Sequence, residues 1–253
     1  MRSLTGARRL GWREGRDGLH FEKSLKTIKC LSPEERYELA GAKTDKLVTE
    51  ILRQMRTTAN NDIVVRSPVI AQQIPISYAA NAYNHFRVAQ LHYELIQVSK
   101  LWEPVDLDGF GLQTISALAD DNAVFEIVSS THLDHYPKDY PRAAAWAKLS
   151  TIRLSQGRRL ASKVSSSQSL TRVRNFRDKV AHLLEQSRIE KKGSVIESPL
   201  QRDAQVLLRG ARITVDRFHL ALNGASFNWK ESELMCRRHA QALWHGMSIT
   251  VRE

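Results

Sequence analysis

An all-helical bundle is the fold this sequence predicts, and three observations predict it. Apolar residues recur at three- and four-residue spacing over long stretches, with no alternating pattern convincing enough for a sheet. Glycine and proline number only 12 and 7 in 253 residues, too few to punctuate many strands. Helix-start signals recur at Ser32-Pro33, Ser67-Pro68 and Ser198-Pro199, each pairing a capping hydroxyl with a residue suited to the first helical turn. Short connections make neighbouring helices antiparallel.

Residues 1–31 are rich in Arg, Lys and Gly without a clean period, and predict a loose basic tail. Residues 32–253 then form a single helical domain. Ser32-Pro33-Glu34-Glu35 reads as a capping box, and Leu39, Leu47, Ile51 and Leu52 carry that helix to about residue 57, where Thr57 to Asn61 break it. Ser67-Pro68 opens a short helix that Pro75 interrupts. A long helix follows over about 77–102, with Tyr78, Ala82, Phe86, Ala89, Leu95, Val98 and Trp102 as its buried stripe. Glu103-Pro104 ends it in an acidic loop. Further helices are predicted at about 112–119, 121–132, 141–163 and 170–188. The one opened by Ser198-Pro199 closes at Asn223-Gly224, and a last one covers about 230–246.

No apolar run reaches the roughly 18–20 residues of a membrane span. The two cysteines, Cys30 and Cys236, are isolated and make neither a disulfide framework nor a metal cluster, which points to a reducing, cytoplasmic setting. The formal charge of +11 is unevenly spread: residues 138–192 hold 14 Lys/Arg against 4 Asp/Glu, while residues 1–137 hold 16 against 17. Such a concentration is the footprint of a polyanion partner, and the bland alternative is a solvated basic face.

Within that segment stands Arg177-Asp178-Lys179-Val180-Ala181-His182. An arginine and a histidine suit the cleavage of RNA, which carries its own nucleophile in the 2′-hydroxyl. Histidine titrates in the range needed for the proton transfers, and arginine stays charged and grips two phosphate oxygens at once. Five residues at about 100° each set the two side chains about 140° apart on one helix. Arg177 falls inside the apolar arc of Leu170, Val173, Phe176, Val180, Leu183 and Leu184, and His182 points nearly opposite its centre. Two such helices facing across a two-fold axis bring the groups together.

The segment resembles the HEPN ribonuclease motif, an arginine and a histidine separated by four to six residues with a polar residue after the arginine. The layout of flanking helices over roughly residues 32–230 resembles the abortive-infection AbiU branch of that superfamily. The resemblance implies an HEPN-like bundle and a homodimer with a shared cleft. It implies metal-independent cleavage of RNA to a 2′,3′-cyclic phosphate and a 5′-hydroxyl, with no cofactor and no metal. A toxin or phage-defence role implies RNA as partner and allows an antitoxin or other neutralising partner. Arg177 and His182 are the catalytic candidates. Asp178 either orients a catalytic group or solvates the exposed side of the helix. Arg172, Arg174 and Lys179 are candidate phosphate contacts, extended by Arg158 and Arg159. Arg238-His239 with His245 is the runner-up motif. The competing reading makes Arg177 a buried arginine paired with an acid such as Asp120 or Glu126, His182 a surface histidine, and the chain a non-catalytic RNA- or nucleotide-binding adaptor or dimerisation module.

Overall fold

The computed structural model describes residues 16–137, 139–181 and 197–250, and every regular element among them is an α-helix. In chain order they are α1 (Arg16–Cys30), α2 (Pro33–Val64), α3 (Pro68–Ala71), α4 (Tyr78–Lys100), α5 (Leu112–Leu118), α6 (Asn122–Asp134), α7 (Ala143–Ser165), α8 (Gln168–Ala181), α9 (Gln201–Leu222) and α10 (Trp229–Trp244). The all-α bundle expected from the apolar spacing is therefore the observed architecture.

The helix ends show why the sequence folds this way. Ser32 Oγ accepts from the Glu35 amide at 3.1 Å, and the Ser32 amide donates to Glu35 at 2.7 Å, closing the predicted capping box. Ser67 caps α3, Asp121 caps α6 and Asn228 caps α10. Gly224, just past α9, takes the left-handed φ of +69° that the Asn223-Gly224 stop signal implies. The start of α9 differs from expectation: Asp203, not Ser198, supplies the capping group, accepting from the Leu200 amide at 2.7 Å.

One apolar cluster joins the helices. Leu47 and Ile51 of α2, Trp102 after α4, Ile115 of α5, Leu154 of α7, Leu170 of α8 and Phe218 of α9 are all buried within it. The most extensive seam runs between α7 and α9, with α6 also lying along α7; α2 packs on α9 and α10, and α8 sits against α4 and α9. Gly157 makes the α7–α9 seam close, since a Cβ there would stand 2.8 Å from the Phe218 ring.

Three further sequence expectations are corrected. Residues 16–30 of the supposed loose tail form α1, because Phe21, Ser24, Leu25 and Ile28 make a helical stripe and Ile28 joins the core. Helix α2 does not break at Thr57 to Asn61 but runs on to Val64. Its polar residues are satisfied across the seam to α4: Thr58 donates to Glu94 Oε1 at 2.9 Å and Asn61 to Glu94 Oε2 at 2.8 Å. The inner face of α4 is also rotated from the predicted stripe. Tyr83, Arg87 and Glu94 face α2, with Tyr83 and Arg87 donating to the carbonyls of Val64 and Val65, and Arg66 pairing with Glu94 at 2.6 Å. Leu95, Val98 and Trp102 pack into the core as expected, but Tyr78 is 94% exposed and Phe86 41% exposed.

Candidate functional site

Helix α8 carries the Arg–His segment, and its inner positions explain its placement. Leu170 and Val173 enter the core, while Phe176 meets the His92 ring of α4 edge-on, with centroids 4.8 Å apart. Burial lowers the His92 pKa, which favours the neutral imidazole. Beyond these positions α8 also buries Arg172, Asn175, Arg177 and Asp178, while Thr171 and Lys179 stay exposed.

Arg177 lies where α8 meets the end of α4. Its Nη1 donates to Glu103 Oε1, and its Nε and Nη2 donate to Asp178 Oδ1 at 3.3 and 3.0 Å. The arginine is thus a buried, paired cation, but its partners are Glu103 and Asp178 rather than Asp120 or Glu126. Asp178, expected on the exposed side, is turned inward by this pairing and is 8% exposed.

Arg172 and Arg174, expected among the phosphate contacts, are also directed inward. Arg172 makes a two-pronged pair with Asp203 of α9 at 2.8 and 2.7 Å and reaches Glu197 at 3.2 Å. Hydrogen bonds from Arg172 to Asp203 raise the Arg172 pKa further, against the opposing effect of burial. Burial pushes the Asp203 carboxyl up, but hydrogen bonds from Arg172, the Leu200 amide and Ser169 outweigh it and leave the carboxyl below its ordinary range. Arg174 donates to the Trp102 carbonyl. The reason is common to all three arginines: α8 lies between α4 and α9, and each finds an oxygen acceptor on or beside a flanking helix.

The remaining candidates spread over two helices. Lys179 is exposed on α8 and Arg159 is exposed on α7. Arg158 pairs with Asp120 and lies over the Phe125 ring. His182 lies outside the described residues. In the runner-up motif, Arg238, His239 and His245 are exposed along and just beyond α10.

Glu103 and Asp203, which hold Arg177 and Arg172, are the site residues that sequence reasoning missed. The sequence marks Glu103 only as the end of a helix, and no pattern distinguishes Asp203. Glu103 also lines a cavity of about 400 Å³ with Leu47, Glu50, Lys100 and Phe110. Lys43 shapes the adjoining loop by donating to the carbonyls of Leu107 and Gly109 at 2.6 and 2.5 Å. Burial lowers the Lys43 pKa, aided by Lys46 and opposed by Asp106 and Asp108. A larger cavity of about 670 Å³ lies between α2, α9 and α10, lined by other residues, among them Arg209, Arg212 and Trp229. Among the described residues no group of three or more His, Cys, Asp or Glu side chains is arranged to hold a metal ion, and no helix is long and apolar enough to cross a membrane.

Comparison with known proteins finds no matching family model, no matching curated protein and no matching solved structure.

Proposed function

We propose that this chain is a metal-independent endoribonuclease of the toxin or phage-defence type, similar to HEPN nucleases, acting in the cytoplasm as a homodimer. In this reading Arg177 steadies the scissile phosphate and His182 carries the proton transfers. The 2′-hydroxyl attacks phosphorus as its proton leaves, and the 5′-oxygen departs as it gains one, giving a 2′,3′-cyclic phosphate and a 5′-hydroxyl. Asp178 serves as a positioning residue for Arg177.

The observation that carries this reading is the fixed orientation of the Arg177 guanidinium. Three of its N–H groups are held by Glu103 and Asp178, and the other two of the five donors of a guanidinium have no partner among the described residues. A cation held in place needs little reorganisation when negative charge develops beside it. Pairing across a two-fold draws support from the apolar side chains that α4 leaves in water, notably Tyr78 and Phe86, on the helix against which α8 packs.

The inward pairing of Arg172, Arg174 and Arg177 favours a second reading, a non-catalytic RNA- or nucleotide-binding module in which these arginines hold the bundle together. One assay separates the two. Purified protein is incubated with RNA in EDTA and the ends of the products are analysed. Cleavage to cyclic phosphate ends, lost in His182→Ala with helicity retained, supports the nuclease. Binding without cleavage supports the module, and cleavage undiminished in His182→Ala removes the proposed site.

A further inference from the structure

Two groups stand out among the cations of residues 138–181. Arg158, Arg172, Arg174 and Arg177 are directed to carboxylates or a carbonyl within the bundle. Lys148, Arg159 and Lys163 are exposed, and none of their side chains has an ion-pair or hydrogen-bond partner among the described residues. All three lie on α7, whose 23 residues include no Asp or Glu.

Helical geometry aligns them. At about 100° per residue the three fall within an arc of about 60°, and at about 1.5 Å per residue they span about 22 Å of the helix axis. Ala145, Ser155, Ser162 and Ser166 share this exposed side, so only small side chains and Ile152 lie between the charges. The opposite side carries Ala147, Leu154, Gly157 and Ala161, all buried. Glu126 and Asp134, the exposed carboxylates of α6, form no ion pair with any of the three.

We propose that this face of α7 is a track for the phosphate backbone of RNA, an inference that rests on the RNA reading above. Lys148, Arg159 and Lys163 each take a phosphate, and the hydroxyls of Ser155 and Ser162 are placed to donate between them. The face offers no aromatic ring for base stacking, so it holds RNA without reading sequence. An anionic membrane suits it less, because a membrane-surface helix inserts a broad apolar face and this one presents a single large apolar residue, Ile152.

The test compares the full chain with a Lys148→Gln/Arg159→Gln/Lys163→Gln variant. A control variant, Lys46→Gln/Arg56→Gln/Lys230→Gln, removes the same charge from exposed positions on α2 and α10. Binding of a fluorescent single-stranded RNA 20-mer is followed by anisotropy across a KCl series, with circular dichroism as the check on folding. Each phosphate contact contributes about 0.7 to the slope of log K against log salt, so the α7 variant is expected to lose about 2 from that slope while the control stays near wild type. If wild type binds RNA and both variants lose slope equally, or neither does, the α7 track is refuted and the RNA reading survives. Wild type that binds no RNA refutes both. Stronger binding to phosphatidylserine vesicles than to RNA, lost in the α7 variant, overturns RNA as the occupant.

Discussion

Removing the Glu94 carboxylate tests whether the polar seam between α2 and α4 is held as described. Glu94 is fully buried and accepts from Thr58, Asn61 and Arg66, while the Arg66 side chain is itself only 9% exposed. Glu94→Leu leaves Thr58 and Asn61 short of an acceptor and the mostly buried Arg66 guanidinium with Asp62, at 2.9 Å, as its remaining carboxylate. Breaking a buried pair in this way costs about 3–5 kcal/mol. At about 2–4 °C per kcal/mol for a chain of this size class, the melting temperature should fall by roughly 10 °C. Adding Arg66→Met to Glu94→Leu removes the mostly buried charge that the half-exposed Asp62 alone then holds and should recover at least about 1 kcal/mol, although Thr58 and Asn61 still lack their acceptor. Urea denaturation with thermal scans supplies the numbers. A loss below about 1 kcal/mol for Glu94→Leu, or a double variant no more stable than the single one, would refute the account.

Gly157→Ala should lower stability, because about 1–3 kcal/mol of overpacking against Phe218 exceeds or offsets the roughly 1 kcal/mol of helix preference gained; a clear rise in melting temperature would show that the seam has room. The depressed Asp203 pKa gives a contribution present above the ordinary carboxylate value and lost as pH falls through the folded-state value, so Asp203→Asn should flatten the acid limb of a stability–pH curve. His92 acts over a higher range: its neutral folded form loses stability as pH falls below about 6.5, and His92→Phe should reduce that dependence in the same curves. Tyr78→Asp with Phe86→Asp should shift the proposed dimer towards monomer in light scattering, and an unchanged mass would place any two-fold elsewhere.

Much of the fold was legible because it depends on local rules. The capping box at Ser32, the stop at Gly224 and the core positions Leu95, Val98 and Trp102 follow from neighbouring residues and helical period. The errors arose where a distant partner decides. Thr58 and Asn61 read as a break because nothing nearby satisfies them, yet Glu94 does so from α4. The inner face of α4 escapes a search by apolar period because it is polar at Tyr83, Arg87 and Glu94. The Phe21, Leu25 and Ile28 stripe is hidden beneath the basic composition around it. At the candidate site, a burst of positive charge was legible, but its division between internal ties and free surface was not, since Asp203 lies 31 residues beyond Arg172.

Trp102 and Glu103 form a clasp between distant parts of the chain. The Trp102 indole donates to the Leu207 carbonyl of α9, its own carbonyl receives Arg174, and the next residue receives Arg177. Two adjacent residues thereby fasten the second half of the molecule to the root of the acidic loop. Arg174 and Arg177 therefore bind α8 to the C-terminal end of α4 at the same place where the acidic loop and the cavity lined by Glu103 begin.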